Sequence, residues 1–526
     1  MTDASRTDAG RTDAVDALRS DYDQTPYVSN SFPQSAPGTL AAVAHLFGLA
    51  PAEVGTARVL EIGCAAGGNI LPFAATHPDA EVVGIDLSEV QIAQGRARIA
   101  ALGLENMQLI AGDIARLDLT SLGRFDYVIA HGVYSWVPDG VAEALLAMIR
   151  ATLTADGVAY LSYNCYPGWK AKEIVRDAML LAGGGSQTPG EKVRQARGMA
   201  DFLEEVVPAG GVMASILAEW RASDDGFGDS YLLHDELEAF NTPRYFYEVL
   251  ARTSAHGLAY LGEARPEVMI PANHGPKVAE YLAAHCGGAQ VLVEQYLDFV
   301  TNRTFRQSLF VHAERAQQIS YDPDADRFRR LHLAATVPPL DGPTRLDTSR
   351  QEFQQADGAT LFTNAPAIKA ALDALTERWP WTLSHDELVA TVRERLIAAG
   401  EQPSADLPAH IDDLTSVLVM QGQAHYRLDP VLPEPAGEPV RIDESARRMA
   451  ELTQLDEGGS TFNRWHETVP LEPLDRLLLP LLDGSRDDAQ LVEALLTAGA
   501  GTREALVEHV HTMRHRLSEM KLLRRG

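Results

Sequence analysis

Short apolar runs alternate with helix-like segments between residues 57 and 163. The runs are rich in aliphatic residues, and the first three end at a glycine or an aspartate, which is typical of buried parallel strands. The predicted strands are 57–62, 81–85, 107–110, 125–130 and 158–163, and the predicted helices are 69–76, 88–102 and 138–153. This alternation predicts an α/β fold with a Rossmann-like, doubly wound parallel sheet and right-handed crossovers.

The regular alternation then breaks. Residues 166–235 are helix-prone and contain no convincing strand pattern. After them, 243–255 reads as a helix, and 257–263 and 305–312 read as strands. We interpret these pieces as the last helix and strands of the same sheet. Residues 166–235 are then a helical cap inserted into the domain, and 266–300 is a second, smaller insertion.

Beyond residue 321 the pattern changes to Pro- and Asp-rich connectors and two helical blocks, 367–428 and 474–523. Each block has an apolar helix, a turn, a helix led by acids and a further amphipathic helix, and a Pro-rich linker at 433–439 separates them. We therefore predict a disordered arm (1–25), an α/β domain (26–315) and two small, mainly helical, winged-helix-like modules (316–430 and 440–526).

Charge and composition narrow the classes of function. The net charge is −28, with acids spread along the chain and no long basic cluster, which disfavours a nucleic-acid partner. No apolar run approaches the roughly 20 residues that cross a bilayer, and the first residues do not read as an export signal, so neither a membrane nor export is expected. Three scattered cysteines predict neither a disulfide framework nor a metal site, and we expect a cytoplasmic protein.

The turn after the first strand carries the clearest chemical signal. Its sequence is EIGCAAGGN (61–69), and glycines at such a strand-to-helix turn let a ligand approach the backbone closely. Asp86 ends the next strand, where a carboxylate can accept both hydroxyls of a ribose. The residues that this interpretation places at a cofactor are Glu61, Gly63, Cys64, Ala65, Gly67, Asn69, Asp86 and Leu87.

Glu61 decides between two adenosine-bearing cofactors. A dinucleotide would bring a pyrophosphate, which an acid beside the turn disfavours, and the glycine spacing departs from G-x-G-x-x-G. S-adenosylmethionine brings an ammonium and a sulfonium, both cationic, which Glu61 favours. Gly112, Asp113 and Ile114 close the third strand, where an acid can accept from the adenine amino group. The pattern therefore predicts an S-adenosylmethionine site at the carboxyl ends of the strands.

At this point the chain resembles a known family. It is similar to the class I S-adenosylmethionine-dependent methyltransferases that carry a methyltransferase regulatory domain, a group that includes rickettsial protein-lysine methyltransferases. The segments that carry the resemblance are PYVSNSFP (26–33), EIGCAAGGN (61–69), HGVYSWV (131–137), SYNCYPGW (162–169), YLLHDEL (231–237), NTP (241–243) and DFVTNR (298–303). The commoner class I loop has glycine where this chain has Ala65. The regulatory region would span about 217–303.

The resemblance implies roles for individual residues. Glu61 and Gly63 would face the methionine end of the donor, Asp86 the ribose, and Asp113 with Ile114 the adenine. Tyr27 and Ser31 would reach the carboxylate, although Tyr27 can equally be an aromatic side chain packed on the core. His131 would lend its backbone carbonyl to the donor's ammonium. The product would be S-adenosylhomocysteine, and a homodimer is a possible assembly.

Two aromatic clusters follow the fourth and fifth strands, where a transferred methyl group must emerge. Their members, with a neighbouring amide, are Tyr134, Trp136, Tyr163, Asn164, Tyr166 and Trp169. Aromatic faces and tyrosine hydroxyls can hold an amine and its cationic product, and an apolar channel favours the deprotonated amine. The alternative is that these rings only pack the inserted helices onto the sheet. His234 is either a proton acceptor from the cap or a structural residue at a helix start.

We therefore expect methyl transfer from S-adenosylmethionine without a metal, and the resemblance implies protein lysine side chains as the acceptor. Two alternatives stay open from the sequence. The cap could close a pocket for a small-molecule acceptor, or the chain could be a donor-sensing regulator whose C-terminal modules bind partners.

Overall fold

The computed structural model describes Arg19, Asp23, Tyr27 and residues 29–523, except 118–121, 187, 225–231, 239, 356, 433–438 and 457. It also leaves out the side chains of residues 223, 224, 234 and 235. Nearly all of the predicted arm 1–25 and the side chain of His234 therefore lie outside the described residues.

A seven-stranded sheet forms the first part of the chain. Its strands are β1 Arg58–Ile62, β2 Glu81–Asp86, β3 Met107–Ala111, β4 Phe125–Ala130, β5 Leu153–Asn164, β6 Leu258–Glu263 and β7 Phe305–His312. They lie in the order β3-β2-β1-β4-β5-β7-β6. The first five strands pair in parallel, whereas β7 runs antiparallel to both β5 and β6. The parallel pairing of β1 to β5 confirms the prediction made from the alternation over 57–163. The strand β7 is antiparallel because the insertion after β6 re-enters the sheet at the end where β6 leaves it, so the chain reverses direction.

Helices cover both faces of this sheet. They are Pro37–Leu46, Leu71–Thr76, Glu89–Leu102, Asp139–Thr152 and Phe246–Ala255, with short 3₁₀ turns at Pro33–Ser35, Val54–Thr56 and Ala313–Gln318. Ser88 caps its helix by accepting from the Gln91 N–H at 3.2 Å, which confirms the predicted helix start. Each face of the sheet has its own apolar core, so the strands are buried on both sides.

Two insertions interrupt the domain. The first contains the helices Trp169–Gly183, Pro189–Val206 and Val212–Asp224 and a π-helical turn, Leu232–Glu236. It packs around a small core of its own that includes Trp220. The second contains 3₁₀ turns Pro266–Met269 and Pro271–His274 and helices Pro276–His285 and Gln290–Thr301.

The middle region, after β7, has a winged-helix-like arrangement. Its strands are β8 His332–Ala334, β9 Gln351–Gln354, β10 Thr360–Thr363, β11 Leu383–Ser384 and β12 His425–Arg427. Its helices are Ala325–Arg329, Pro366–Arg378, His385–Ala398 and Leu407–Met420. A small antiparallel sheet, β11-β8-β12, lies beside these helices, and β9 pairs with β10 as a hairpin.

The last region is helical around a single hairpin. Its helices are Glu444–Leu452, Pro473–Leu478, Asp488–Thr497, Arg503–His511 and Met513–Glu519, with a 3₁₀ turn Leu479–Leu481. The hairpin pairs β13 Ser460–Phe462 with β14 Thr468–Pro470.

Both C-terminal regions pack on the methyltransferase-like domain. Ala42 and Leu46, on the first helix of that domain, belong to the apolar core of the middle region. Phe462, on β13, belongs to one core of the large sheet, and Arg448 Nη1 donates to the Leu102 carbonyl at 3.0 Å. Within the described ranges, no helix has the length and apolar character needed to span a bilayer.

Candidate active site

The glycine-rich turn after β1 requires left-handed backbone at three positions. Gly63 has a φ of 76°, Gly67 of 75° and Ala65 of 49°. A Cβ on Gly63 would lie 2.3 Å from Val133 Cγ2, so only glycine fits there. Ala65 adopts a conformation that glycine takes more easily, which explains why the commoner loop has glycine at this position.

Glu61 lies at the bottom of the turn and is 2% exposed. Its Oε1 accepts from Asn69 Nδ2 at 2.7 Å, whereas its buried Oε2 has no hydrogen-bond partner among the described residues. Burial raises the pKa of this carboxyl to about 8. A cationic group reaching Oε2 would therefore find an acceptor that the protein itself leaves unsatisfied.

Asp86 closes β2 beside the turn and shapes it. Its Oδ2 accepts from the Ala65 N–H at 2.7 Å, and its Oδ1 accepts from the Ser88 N–H at 2.9 Å. Burial raises its pKa. Each carboxylate oxygen of Asp86 retains a further lone pair that can accept from a ligand hydroxyl. The adjacent residue, Leu87, is half-buried.

The end of β3 lies next to the end of β2. The Gly112 N–H donates to the Asp86 carbonyl at 2.8 Å, and Asp113 Oδ1 accepts from the Ala115 N–H at 2.9 Å. Asp113 and Ile114 are both half-buried. The structure thus brings the residues expected at ribose and adenine to one edge of the sheet.

His131 follows β4 at the same edge. Its Nδ1 lies 2.9 Å from the Tyr160 hydroxyl, and its ring lies 3.8 Å from the ring of Phe32. Burial lowers the pKa of its imidazole to about 4, so the ring is neutral at physiological pH. A neutral imidazole that already contacts the Tyr160 hydroxyl fits a structural role for the ring. The role of the His131 backbone carbonyl stays a prediction.

The segment before the first helix crosses the turn. Ser29 Oγ accepts from the Gly68 N–H at 2.8 Å, and Tyr27 is half-buried. Ser31 instead engages the last region of the chain, because its N–H donates to Thr468 Oγ1 at 2.8 Å. The expected contacts of Tyr27 and Ser31 with a donor carboxylate stay predictions.

The six residues expected to line an acceptor channel fall into two groups by exposure. Tyr166 is half-buried, and the other five are buried: Tyr134, Trp136, Tyr163, Asn164 and Trp169. Tyr134 lies edge-on to Tyr163 with ring centroids 6.1 Å apart, and Trp136 lies edge-on to Trp169 at the same separation. These two ring pairs, called the aromatic wall below, lie at the ends of β4 and β5.

The polar atoms of this wall differ in their partners. The Tyr163 hydroxyl lies 3.0 Å from Ser308 Oγ, and Asn164 Nδ2 donates to Asn241 Oδ1 at 2.9 Å. The buried Tyr134 hydroxyl has no hydrogen-bond partner among the described residues. Tyr166 lies at the outer edge, where Lys170 Nζ sits 4.3 Å from its ring.

A buried ionic cluster, which sequence reasoning missed, supports this wall from the regulatory side. Arg306 is 1% exposed. It donates through Nη1 to Glu263 Oε1 at 2.6 Å and through Nε to Asp298 Oδ2 at 3.0 Å. Ser308, the partner of Tyr163, donates to the same Glu263 oxygen at 2.7 Å. The segment 298–303 carries the family resemblance, but no sequence pattern indicates that Arg306 pairs with Glu263 and Asp298.

Sequence reasoning also missed the residues that reach the turn from elsewhere in the chain. Ser35 Oγ accepts from Asn69 Nδ2 at 3.0 Å, and His466 Nε2 lies 3.3 Å from Asn69 Oδ1. No signal in the sequence links His466 to a loop almost four hundred residues earlier. Throughout the described ranges, no group of three His, Cys, Asp or Glu side chains is arranged to hold a metal ion.

Three family models match the chain. Residues 59–157 match a methyltransferase domain, residues 228–312 match a predicted methyltransferase regulatory domain, and residues 445–518 match the PKMT C-terminal winged helix domain.

Two rickettsial relatives and one solved structure are similar to this chain, over between 44% and 95% of its length. Uncharacterized protein RP789 of Rickettsia prowazekii is 30% identical over 494 residues, which cover 90% of this chain and 85% of that protein. Uncharacterized protein RP028 of the same organism is 35% identical over 232 residues, covering 44% of this chain and 92% of that protein. The structure of PKMT2 from Rickettsia typhi in complex with AdoHcy superposes with a TM-score of 0.84 and 26% identity, over 95% of this chain and 100% of that one. The chain therefore belongs to the family of S-adenosylmethionine-dependent methyltransferases that combine a methyltransferase domain, a methyltransferase regulatory domain and a PKMT-type winged helix domain.

Proposed function

We propose that this enzyme transfers the methyl group of S-adenosylmethionine to lysine side chains of a protein, with the donor held at the carboxyl ends of β1 to β4. One observation gives the main support for this donor site: Glu61, buried beside the glycine turn, has an oxygen with no hydrogen-bond partner among the described residues. That oxygen would bind the methionine ammonium, Asp86 the ribose, and Asp113 with Ile114 the adenine. The loop residues Gly63, Cys64, Ala65, Gly67, Asn69 and Leu87 would enclose the donor.

S-adenosylmethionine would supply a methyl carbon bonded to a positively charged sulfur. A neutral lysine amine would attack this carbon in line, and the carbon–sulfur bond would break. The products would be a methylated ammonium and S-adenosylhomocysteine. The wall of Tyr134, Trp136, Tyr163 and Trp169 would keep water out and favour the neutral amine. Asn164 binds Asn241 through its amide N–H, so its Oδ1 takes no part in that bond and could accept from the amine.

Support for a lysine acceptor comes from the edge of the wall. Lys170 Nζ lies 4.3 Å from the ring of Tyr166 and 5.6 Å from the ring of Tyr245. The rings of Tyr166 and Tyr245 therefore contact a lysine ammonium of the same chain, which indicates that they can also bind the ammonium of an acceptor lysine. The acidic chain, with a net charge of −28, suits a basic acceptor. The PKMT names carried by the matching winged helix model and the matching structure support the same acceptor class.

The test is mass spectrometry of a cell lysate incubated with the enzyme and isotopically labelled donor. Labelled methyl groups on protein lysines are expected with the wild type and absent with the Asp86→Ala variant. Label confined to small molecules would favour a small-molecule acceptor. Binding of the donor without any labelled product would favour a donor-sensing regulator.

We further propose a cytoplasmic homodimer. The three cysteines are free and buried, which suits a reducing compartment.

Helix Gln290–Thr301 exposes Val291, Leu292, Phe299 and Val300, which offers an apolar face for a second copy. Light scattering of the purified enzyme measures the mass directly, and a monomer at micromolar concentration would rule out the dimer.

A further inference from the structure

The C-terminal region touches the donor turn through its hairpin. The hairpin pairs β13 with β14, and His466 lies in the turn between them while Thr468 begins β14. His466 Nε2 lies 3.3 Å from Asn69 Oδ1, and Thr468 Oγ1 accepts from the Ser31 N–H at 2.8 Å. Two residues of the hairpin therefore contact two segments that border the donor site.

Asn69 connects this hairpin to Glu61. Its Oδ1 accepts from the Phe32 N–H at 2.9 Å, while its Nδ2 donates to Glu61 Oε1 at 2.7 Å. A side-chain amide orients correctly only when donors meet its oxygen and acceptors meet its nitrogen. A donor at Oδ1 therefore helps to keep Nδ2 on Glu61, which leaves Glu61 Oε2 for the ligand.

The protein holds His466 firmly in place for this contact. Its side chain is 6% exposed, and its φ of 62° lies in the left-handed region that non-glycine residues rarely adopt. Such backbone persists only where the surroundings enforce it. Asn463 supplies part of that support, since its carbonyl accepts from the His466 N–H at 3.1 Å and its Oδ1 accepts from the Trp465 N–H at 2.9 Å.

The protonation state of His466 suits a neutral donor. Burial, with the nearby charges of Arg427 and His77, lowers the pKa of its imidazole to about 3. The ring is therefore neutral and carries one N–H. In the tautomer with that hydrogen on Nε2, His466 donates to the Asn69 oxygen. The neutral His466 ring itself adds no positive charge beside the site where a cationic ligand would bind.

We propose that His466 is a positioning residue for the methyl donor, through which the C-terminal winged helix module completes the donor site. It orients Asn69, and Asn69 orients the Glu61 carboxylate toward the methionine ammonium. This inference rests on the donor site proposed above. It gives the last module a part in donor binding besides any part in contacting the acceptor.

The experiment measures the Kd of S-adenosylhomocysteine for the full-length protein by isothermal titration, with the KM of the donor and kcat measured alongside. Loss of the His466 hydrogen bond in His466→Ala is expected to raise the Kd about three- to tenfold. The donor KM rises equally, and kcat at saturating donor stays unchanged. His466→Gln, which returns an N–H near the Nε2 position, is expected to recover most of the affinity.

Arg448→Ala is the matched control. It removes another hydrogen bond between the same module and the first domain, 3.0 Å from Arg448 Nη1 to the Leu102 carbonyl, without touching the turn. Its Kd is expected to equal that of the wild type. An equal rise in Arg448→Ala would mean that module docking in general matters, and would overturn a specific role for His466.

The remaining outcomes are also decisive. If His466→Ala does not fold, His466→Asn replaces it, because asparagine tolerates left-handed backbone but is too short to reach Asn69. A wild-type Kd in folded His466→Ala or His466→Asn, with affinity lost in Asp86→Ala, would refute this inference and leave the proposed donor site intact. Failure of the wild type to bind S-adenosylhomocysteine would instead refute the proposed donor site.

Discussion

Glu61 makes donor binding depend on pH in a direction that the structure determines. Burial raises the pKa of this carboxyl to about 8 in the donor-free protein. At pH 7 only about a tenth of the molecules carry the carboxylate, and at pH 6 about a hundredth. A donor ammonium at Oε2 needs the carboxylate, so its binding must expel a proton below pH 8.

The magnitude follows from this pKa. Each pH unit below 8 should weaken the binding of S-adenosylhomocysteine about tenfold, which is about 1.4 kcal/mol. At pH 7, binding should release about 0.9 proton. Isothermal titration at pH 6, 7 and 8, in two buffers of different ionisation enthalpy, measures both quantities.

The raised pKa of Glu61 also makes the free energy of unfolding depend on pH. Because folding raises the pKa of Glu61 above its unfolded value of 4.5, this group favours the folded state fully below pH 4.5. That contribution is lost as the pH rises through about 8. The bound ligand offsets the loss, so S-adenosylhomocysteine should raise the Tm more at pH 8 than at pH 6.

Glu61→Gln is the control, since it keeps an oxygen for Asn69 Nδ2 but cannot ionise. It should bind S-adenosylhomocysteine weakly, with no proton release and no pH dependence between 6 and 8. Proton uptake by the wild type, or an affinity that is the same at all three pH values, would refute the reasoning.

Three further substitutions test other parts of the structure. Asp86→Ala should raise the Kd of S-adenosylhomocysteine by about 10- to 150-fold, because a charge-assisted hydrogen bond worth about 1.5–3 kcal/mol is lost; an unchanged Kd would place the ribose elsewhere. Gly68→Ala puts a Cβ 2.1 Å from the Ser29 carbonyl oxygen, so it should displace that segment and cost about 1–3 kcal/mol in urea unfolding. A wild-type unfolding midpoint would contradict this close approach. Arg306→Met should cost about 3–5 kcal/mol, because it leaves Glu263 buried without its cation; a cost below about 1 kcal/mol would mean that the buried cluster contributes little.

Hydrogen bonds join the buried ionic cluster to the aromatic wall of the proposed acceptor site. Tyr163 lies 3.0 Å from Ser308, and Ser308 donates to Glu263, which in turn binds Arg306. The regulatory region therefore connects to the wall beyond β5 by hydrogen bonds. A substitution in that region is expected to change turnover through the position of Tyr163.

Local sequence determined the strands of the large sheet and the glycine turn after β1. The strands 81–85 and 125–130 could be read from apolar runs, because a strand buried on both faces must be apolar throughout. The glycine turn, the Ser88 helix cap and Asp86 are equally local, since each depends on backbone or hydrogen-bonding preferences of a few adjacent residues.

Tertiary structure alone decided what lies next to that turn. β7 runs antiparallel because of where the second insertion leaves and rejoins the sheet, which periodicity does not encode. His466 meets Asn69, and Arg306 meets Glu263, only after separate segments fold together. Spacing and periodicity describe neighbours along the chain, whereas these contacts join residues that are distant in sequence, so their partners are set by packing of the whole molecule.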